Sequence, residues 1–255
     1  MKKKLIIILL LILSITIKVN ASESEVSETN DNELIKVADT IKYYKTIEYN
    51  PNVYSTMSNE NQIFQKTYEI TKEEYDNADK EISTQVSNSV STVYKYMETS
   101  IYQNGNYFTY KNQLVWRNFP STRSYDIIGI GYPSNVELKG AINFYQEYST
   151  SLGLNKTITQ HYAKESINGI GASFKLPAGD LTSLRAVLSF DVKKATSETL
   201  YGQDAYGDYS HAQKAISYAD SKKFYISVSG VILDNSVVDN FDDISKTHVR
   251  WNYNW

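Results

Sequence analysis

The chain has 255 residues, 41% of them hydrophobic, with 26 basic and 29 acidic side chains, a net charge of −3 and no cysteine. That length suffices to bury a substantial core as a single domain. The charge balance argues against nucleic-acid binding, which draws on a basic excess to neutralise phosphate, and the lack of cysteine excludes a disulfide framework and a thiolate metal site.

The chain opens on Lys2, Lys3 and Lys4, followed by an apolar run from Leu5 to Ile17 and the small-residue segment Val19-Asn20-Ala21. This pattern predicts a secretory leader, residues 1–21, cleaved after Ala21. An uncleaved anchor is the alternative, but the run is 13 residues where a membrane span takes about 20. Cleavage would remove four lysines and no acid, leaving 22 basic against 29 acidic residues and a net charge of −7.

Residues 22–33 hold five acids and no base and are expected to form a disordered spacer. Leu34, Val37, Ala38, Ile41, Tyr44 and Ile47 then recur at helical spacing, so an amphipathic helix is expected over 33–48, although the β-branched content leaves a strand open. Gln62 to Ile70 reads as a strand. Thr71-Lys72-Glu73-Glu74 is a capping box that should start a short helix running to about Glu81. Residues 34–82 are thus expected as a helical or strand segment packed on the core of a β-sandwich domain spanning 83–255.

The strongest local signal lies between Val93 and Asp126, where Asn104-Gly105 predicts a type I′ hairpin turn. Pairing Gln103 with Asn106 puts Ile101 opposite Phe108, Met97 opposite Asn112, Lys95 opposite Leu114 and Val93 opposite Trp116. That face should lie on a core. Tyr94, Tyr96, Tyr102 and Tyr107 occupy the other face, where a Tyr pair and an opposite-charge pair meet across the strands. A second hairpin is expected at Asn168-Gly169, with Ile167 facing Ile170, Glu165 facing Ala172 and Ala163 facing Phe174. Further strands are expected over 125–131, 136–148, 184–192 and 224–233, and at the end, where Val249, Trp251, Tyr253 and Trp255 alternate with Arg250, Asn252 and Asn254. About nine strands separated by turns predict an all-β fold, an antiparallel β-sandwich with one or two short N-terminal helices.

Chemical motifs are sparse. The glycines of Ile128-Gly129-Ile130-Gly131 precede Pro133 and Ser134 rather than a helix, so they make no dinucleotide fingerprint. The three histidines form no H-E-x-x-H pair, and there is no G-x-S-x-G elbow. No cofactor, metal or catalytic residue is therefore assigned. Tyr206-Gly207-Asp208-Tyr209-Ser210-His211 gathers an acid, a hydroxyl, an imidazole and aromatic rings, the groups a sugar site uses, although a turn with His211 bonded to backbone explains them as well. Asp234, Asp239, Asp242 and Asp243 lack calcium-loop spacing and are expected to form a solvated acidic loop.

The segments Ser121–Gly131, Tyr206–Lys214 and Ser221–Ser227, with their R-S-Y-D and YGxYxHA patterns, resemble a group of uncharacterised exported proteins of Gram-positive Firmicutes over roughly 94–241. The resemblance implies secretion and a shared domain and transfers no catalytic residue. The 22 tyrosines fit either a sheet protein, with rings packed and hydroxyls wet, or an aromatic binding face. The leading expectation is a secreted or wall-associated binding module for an extracellular ligand, a cell-wall or host glycan being the candidate. Its expected contacts are Tyr94, Tyr96, Tyr102 and Tyr107 together with Tyr206, Asp208, Tyr209 and His211. Two other readings stay open. One is a membrane-active protein using the Ser/Thr-rich alternation of 84–94 as a barrel strand, and the other is an extracellular hydrolase.

Overall fold

A computed structural model of the chain describes residues 34–49, 65–79, 90–242 and 245–255. The segments expected as a leader and an acidic spacer, and most of the alternating segment expected as a barrel strand, lie outside the described residues. Fourteen strands are found among the described residues: β1 (Ile35–Tyr49), β2 (Gln65–Ile70), β3 (Val90–Asn104), β4 (Tyr107–Trp116), β5 (Tyr125–Gly131), β6 (Val136–Thr150), β7 (Asn155–Ile158), β8 (Tyr162–Ser166), β9 (Gly169–Lys175), β10 (Leu181–Lys194), β11 (Tyr201–Ser210), β12 (Phe224–Ser227), β13 (Gly230–Leu233) and β14 (Ser245–Asn254). A seven-stranded sheet, in the order β2-β1-β3-β4-β10-β6-β7, faces a five-stranded sheet, β14-β11-β5-β9-β8. The fold is an all-β antiparallel sandwich.

The core between the sheets takes Met97, Ile101, Phe108, Leu114 and Trp116 from the central hairpin and Leu188 and Phe190 from β10. Ile128, Ile130, Ala172, Phe174 and Tyr209 come from the five-stranded sheet. A third element, the β12–β13 hairpin, packs Phe224, Ile226, Val231 and Leu233 onto Ile127 on the other face of the five-stranded sheet. That close approach explains the glycines of the Ile128–Gly131 segment. A Cβ on Gly131 would lie 2.5 Å from the backbone of Gly230 and Ser227, where no flexible side chain exists to yield. Gly131→Ala is therefore expected to cost on the order of 2–3 kcal/mol by overpacking. It should show as a lower melting temperature with early proteolysis at Val228-Ser229.

Both hairpin registers differ from expectation by two residues. Asn104 pairs with Tyr107 and Met97 with Leu114. The turn is Gly105-Asn106, with Gly105 at φ +57° and Asn106 in ordinary backbone, as a type II′ turn demands. At the second hairpin Ser166 pairs with Gly169, Glu165 with Ile170 and Ala163 with Ala172. A slip of two preserves every side chain's face, since sheet faces alternate with period two.

The segment expected as an amphipathic helix is β1, paired with β3 along its length. A bulge inserts Val37 between Lys36 and Ala38 and switches the inward face partway along the strand, so the apolar residues fall at spacings that imitate a helix. The capping box does start a helix, α1 (Lys72–Asp76), shorter than expected, with the Glu74 N–H donating to the Thr71 hydroxyl and the Glu74 carboxylate accepting from the Thr71 N–H. Residues 224–233, read as one strand, are the β12–β13 hairpin.

Candidate functional site

Strand β5 brings the two motif boxes together. Successive side chains of a strand point to opposite faces, so Asp126 enters the core while Tyr125 leaves it. Asp126 is fully buried. Its Oδ1 accepts the Ala212 N–H at 3.1 Å, its carboxylate meets His211 Nδ1 at 2.9 Å, and the Tyr209 hydroxyl donates to its Oδ2. Around this pair lie Lys95 and Asp242, 3.5 Å apart and both buried, with Glu48 3.9 Å from His211 Nε2. The Asp242 carboxylate accepts the Thr67 hydroxyl at 2.8 Å and the His211 N–H at 2.8 Å, and the Lys95 ammonium donates to the Thr46 hydroxyl and sits 4.7 Å from the Tyr209 ring centroid. Asp242 is thus a core residue rather than part of a solvated acidic loop. Burial pulls the His211 pKa down, but the Asp126 carboxylate in contact with Nδ1 more than offsets this, so the imidazole holds its proton above the usual range. With Glu48, Asp126 and Asp242 opposing Lys95 and a protonated His211, the cluster is close to charge-balanced, the condition on which buried ions are tolerated.

This geometry divides the YGxYxHA box between two environments. Tyr209 and His211 are core residues, Tyr209 also packing edge-on to Trp116 at 5.6 Å. Asp208 points the opposite way, buried beneath β13, where its Oδ2 accepts the Val231 N–H at 2.6 Å and its Oδ1 has no partner. Burial raises the Asp208 pKa to about 7. Tyr206, half-buried on that outer face, stacks on His248 with centroids 4.3 Å apart and planes parallel within 1°. The box therefore does not assemble one open site. Of the hairpin tyrosines, Tyr94 is buried at 1% exposure. Tyr96 is half-buried, held between Tyr43 and Tyr75 of α1 at 6.1 and 6.0 Å. Tyr102 and Tyr107 are half-buried beneath the ammonium groups of Lys36 and Lys139. Most of these rings are already in use by the fold's own contacts.

An open aromatic site exists elsewhere. The chain passes from the seven-stranded sheet to the five-stranded one through residues 159–161, and β8 starts only at Tyr162, opposite Ser173. The last residues of β9 thus have no β8 partner on that side. A cleft of about 510 Å³ lies there, walled by Tyr125, Tyr148, Ile158, His161, Phe174 and Tyr218 and floored by Ser173, with Lys175 at its margin. Tyr125 and Tyr218 form a pair at 5.6 Å. His161 rests on Phe144 at 5.0 Å and its Nδ1 lies 2.6 Å from the Thr159 carbonyl. That bond makes Nδ1 the protonated nitrogen and leaves Nε2 for other partners. The Ser173 hydroxyl is 1% exposed and has no hydrogen-bond partner. Leaving such a group unpaired costs about 1–3 kcal/mol. The volume suits a small ligand. Sequence reading singled out none of these residues as contacts, because they come from separate segments and only the abundance of tyrosine signalled them.

No family model matches the chain and no curated protein matches it. Solved structures similar to it include the collagen-binding domain of the surface protein RspB of Erysipelothrix rhusiopathiae, at 7% identity and a TM-score of 0.30 over 62% of this chain and 65% of that one. The N-terminal domain of the Streptococcus gordonii adhesin Sgo0707 matches at 11% identity and 0.34 over 88% and 57%. The full-length major pilin SpaD of Corynebacterium diphtheriae matches at 7% and 0.32 over 88% and 61%. The chain spans less than two thirds of each, and likenesses this distant assign it no activity, ligand or partner.

Proposed function

We propose that this is an exported β-sandwich module that binds an extracellular saccharide in the cleft between Tyr125, Tyr148, His161 and Tyr218, without transforming it. The observation that carries the reading is the cleft itself, about 510 Å³ with Tyr125, Tyr148, His161 and Tyr218 in its lining and no acid. Aromatic faces are electron-rich and take the polarised C–H groups of a pyranose ring, while Ser173, Gln160 and His161 supply the polar partners that sugar hydroxyls demand. The Asp126–His211–Tyr209 cluster, which has the composition of a catalytic site, is sealed in the core, with His211 2% exposed and Asp126 0%. The leader-like first 21 residues support a role outside the cell.

Binding of the purified protein to cell-wall sacculi and to immobilised host glycans tests the reading. Tyr218→Ala and Tyr125→Ala are each expected to weaken binding about tenfold, equivalent to about 1.4 kcal/mol, with melting temperature little changed for Tyr218, which is 48% exposed. Unaltered affinity in both variants would exclude the cleft as the binding site.

A further inference from the structure

We infer that the saccharide taken by this cleft is acidic: a uronate-type sugar whose carboxylate is held by Lys175 while its ring lies on Tyr125 and Tyr218. The inference rests on the cleft being the saccharide site and goes beyond it by fixing the ligand's charge. The protein as a whole carries a net charge of −3, yet no aspartate or glutamate lines the cleft. Lys175 is the one lysine or arginine among its lining residues. Lys175 stands on β9 directly opposite Tyr125, with its ammonium 5.9 Å from that ring's centroid. Lys222 lies 3.8 Å from the centroid of Tyr218, and His161 is among the lining residues.

Some lysines elsewhere on the surface are paired with carboxylates, and others, such as Lys139 and Lys164, are not. Lys36 pairs with Asp39 and Glu98, Lys42 with Glu69, Lys193 with Glu137 and Lys223 with Asp220. Lys175 and Lys222 have no carboxylate partner among the described residues, and both rest against the aromatic pair that would hold a sugar ring. A lysine in the lining of a cleft with no acid in its walls, and a second lysine against Tyr218, favour an anion there over a cationic ligand. A single carboxylate on a pyranose sets charge and stacking face side by side, which matches the Lys175–Tyr125 arrangement.

The test is calorimetric titration of the purified protein with hyaluronan and oligogalacturonate oligosaccharides, each compared with its carboxyl-reduced neutral form. The acidic form is expected to bind at least tenfold tighter. The preference should shrink to less than threefold in Lys175→Gln and at 0.5 M NaCl, where the Debye length falls to about 4 Å, while Lys193→Gln leaves it intact. Lys175 is exposed, so its removal spares the fold. Equal affinity for acidic and reduced forms would overturn the inference while leaving the saccharide site standing. Binding to neither form, with sacculi or host glycans still bound in a Tyr218-dependent way, would overturn the inference alone. Binding to no saccharide at all, or a preference for acidic peptides over sugars, would overturn both.

Discussion

Asp126→Ala is expected to lower the free energy of unfolding by about 3–5 kcal/mol, the range measured when one partner of a buried ion pair is removed. The substitution strips the acceptor from three buried donors at once: the Tyr209 hydroxyl, His211 Nδ1 and the Ala212 N–H. It also leaves the buried imidazolium facing Lys95 with one counter-charge fewer. A domain's total stability is about 5–15 kcal/mol, so the loss removes roughly a fifth of it or more. Urea denaturation followed by tryptophan fluorescence measures the effect, since Trp116 packs on Tyr209. A midpoint within error of wild type would show that Asp126 is dispensable to the core. Saccharide affinity under native conditions should change little by comparison, because Asp126 points away from the cleft that Tyr125 lines.

The second large effect depends on pH. Asp208 has a folded-state pKa of about 7 against an unfolded value of 3.8, because burial penalises its charged form more than Lys246 and the Val231 N–H favour it. A carboxyl raised in this way favours the fold fully below pH 3.8, and that advantage is lost as the pH rises through 7. At about 1.36 kcal/mol per unit, the shift of roughly three units corresponds to about 4 kcal/mol lost by pH 8. Asp208→Asn should therefore be more stable than wild type at pH 8 and indistinguishable from it near pH 4, as read by paired thermal melts. His211 acts in the same direction. Its raised pKa gives stability that is complete below about 6.5 and declines as the pH rises past the folded value. On the acid side, the lowered carboxyls of Asp79, Glu98, Asp220 and Asp234 lose their smaller contributions as the pH falls below their usual range. Wild-type stability should peak at mildly acidic pH. A melting temperature that rose steadily from pH 5 to pH 8 would contradict the burial of an ionisable Asp208.

Much of the fold was legible because period-two alternation survives errors of register. The central hairpin was paired two residues out of step, yet Met97, Ile101, Phe108 and Leu114 were still assigned to the core face. The turn signal itself was ambiguous, since Asn104-Gly105-Asn106 permits Gly at either central position, and the observed turn uses it at the first. What the pattern could not show was the bulge at Val37, which mixes the two faces of β1, or the break at Val228-Ser229, whose flanks read as one apolar run. The site was less legible. The tyrosines of the hairpin and of the YGxYxHA box were candidates for an exposed face, but exposure depends on neighbours contributed by β1, α1, β13 and β14. Tyr125, His161, Ser173 and Tyr218 lie far apart in the chain and converge only through the crossing between sheets. The junction of the R-S-Y-D and YGxYxHA boxes at Asp126 likewise depends on β5 and β11 becoming neighbours.

The core cluster also orders events in time. Its members come from β1, β3, β5, β11 and the segment before β14, so the charge balance around Lys95 completes only when Asp242 arrives, thirteen residues before the chain's last one. Pairings such as β4 with β10 join distant parts of the chain, a topology associated with folding in milliseconds to seconds rather than microseconds. A polypeptide clipped or stalled before residue 242 would hold an ammonium in the interior without its carboxylate. Such a copy is expected to be cleaved faster by an added protease than a chain that includes Asp242.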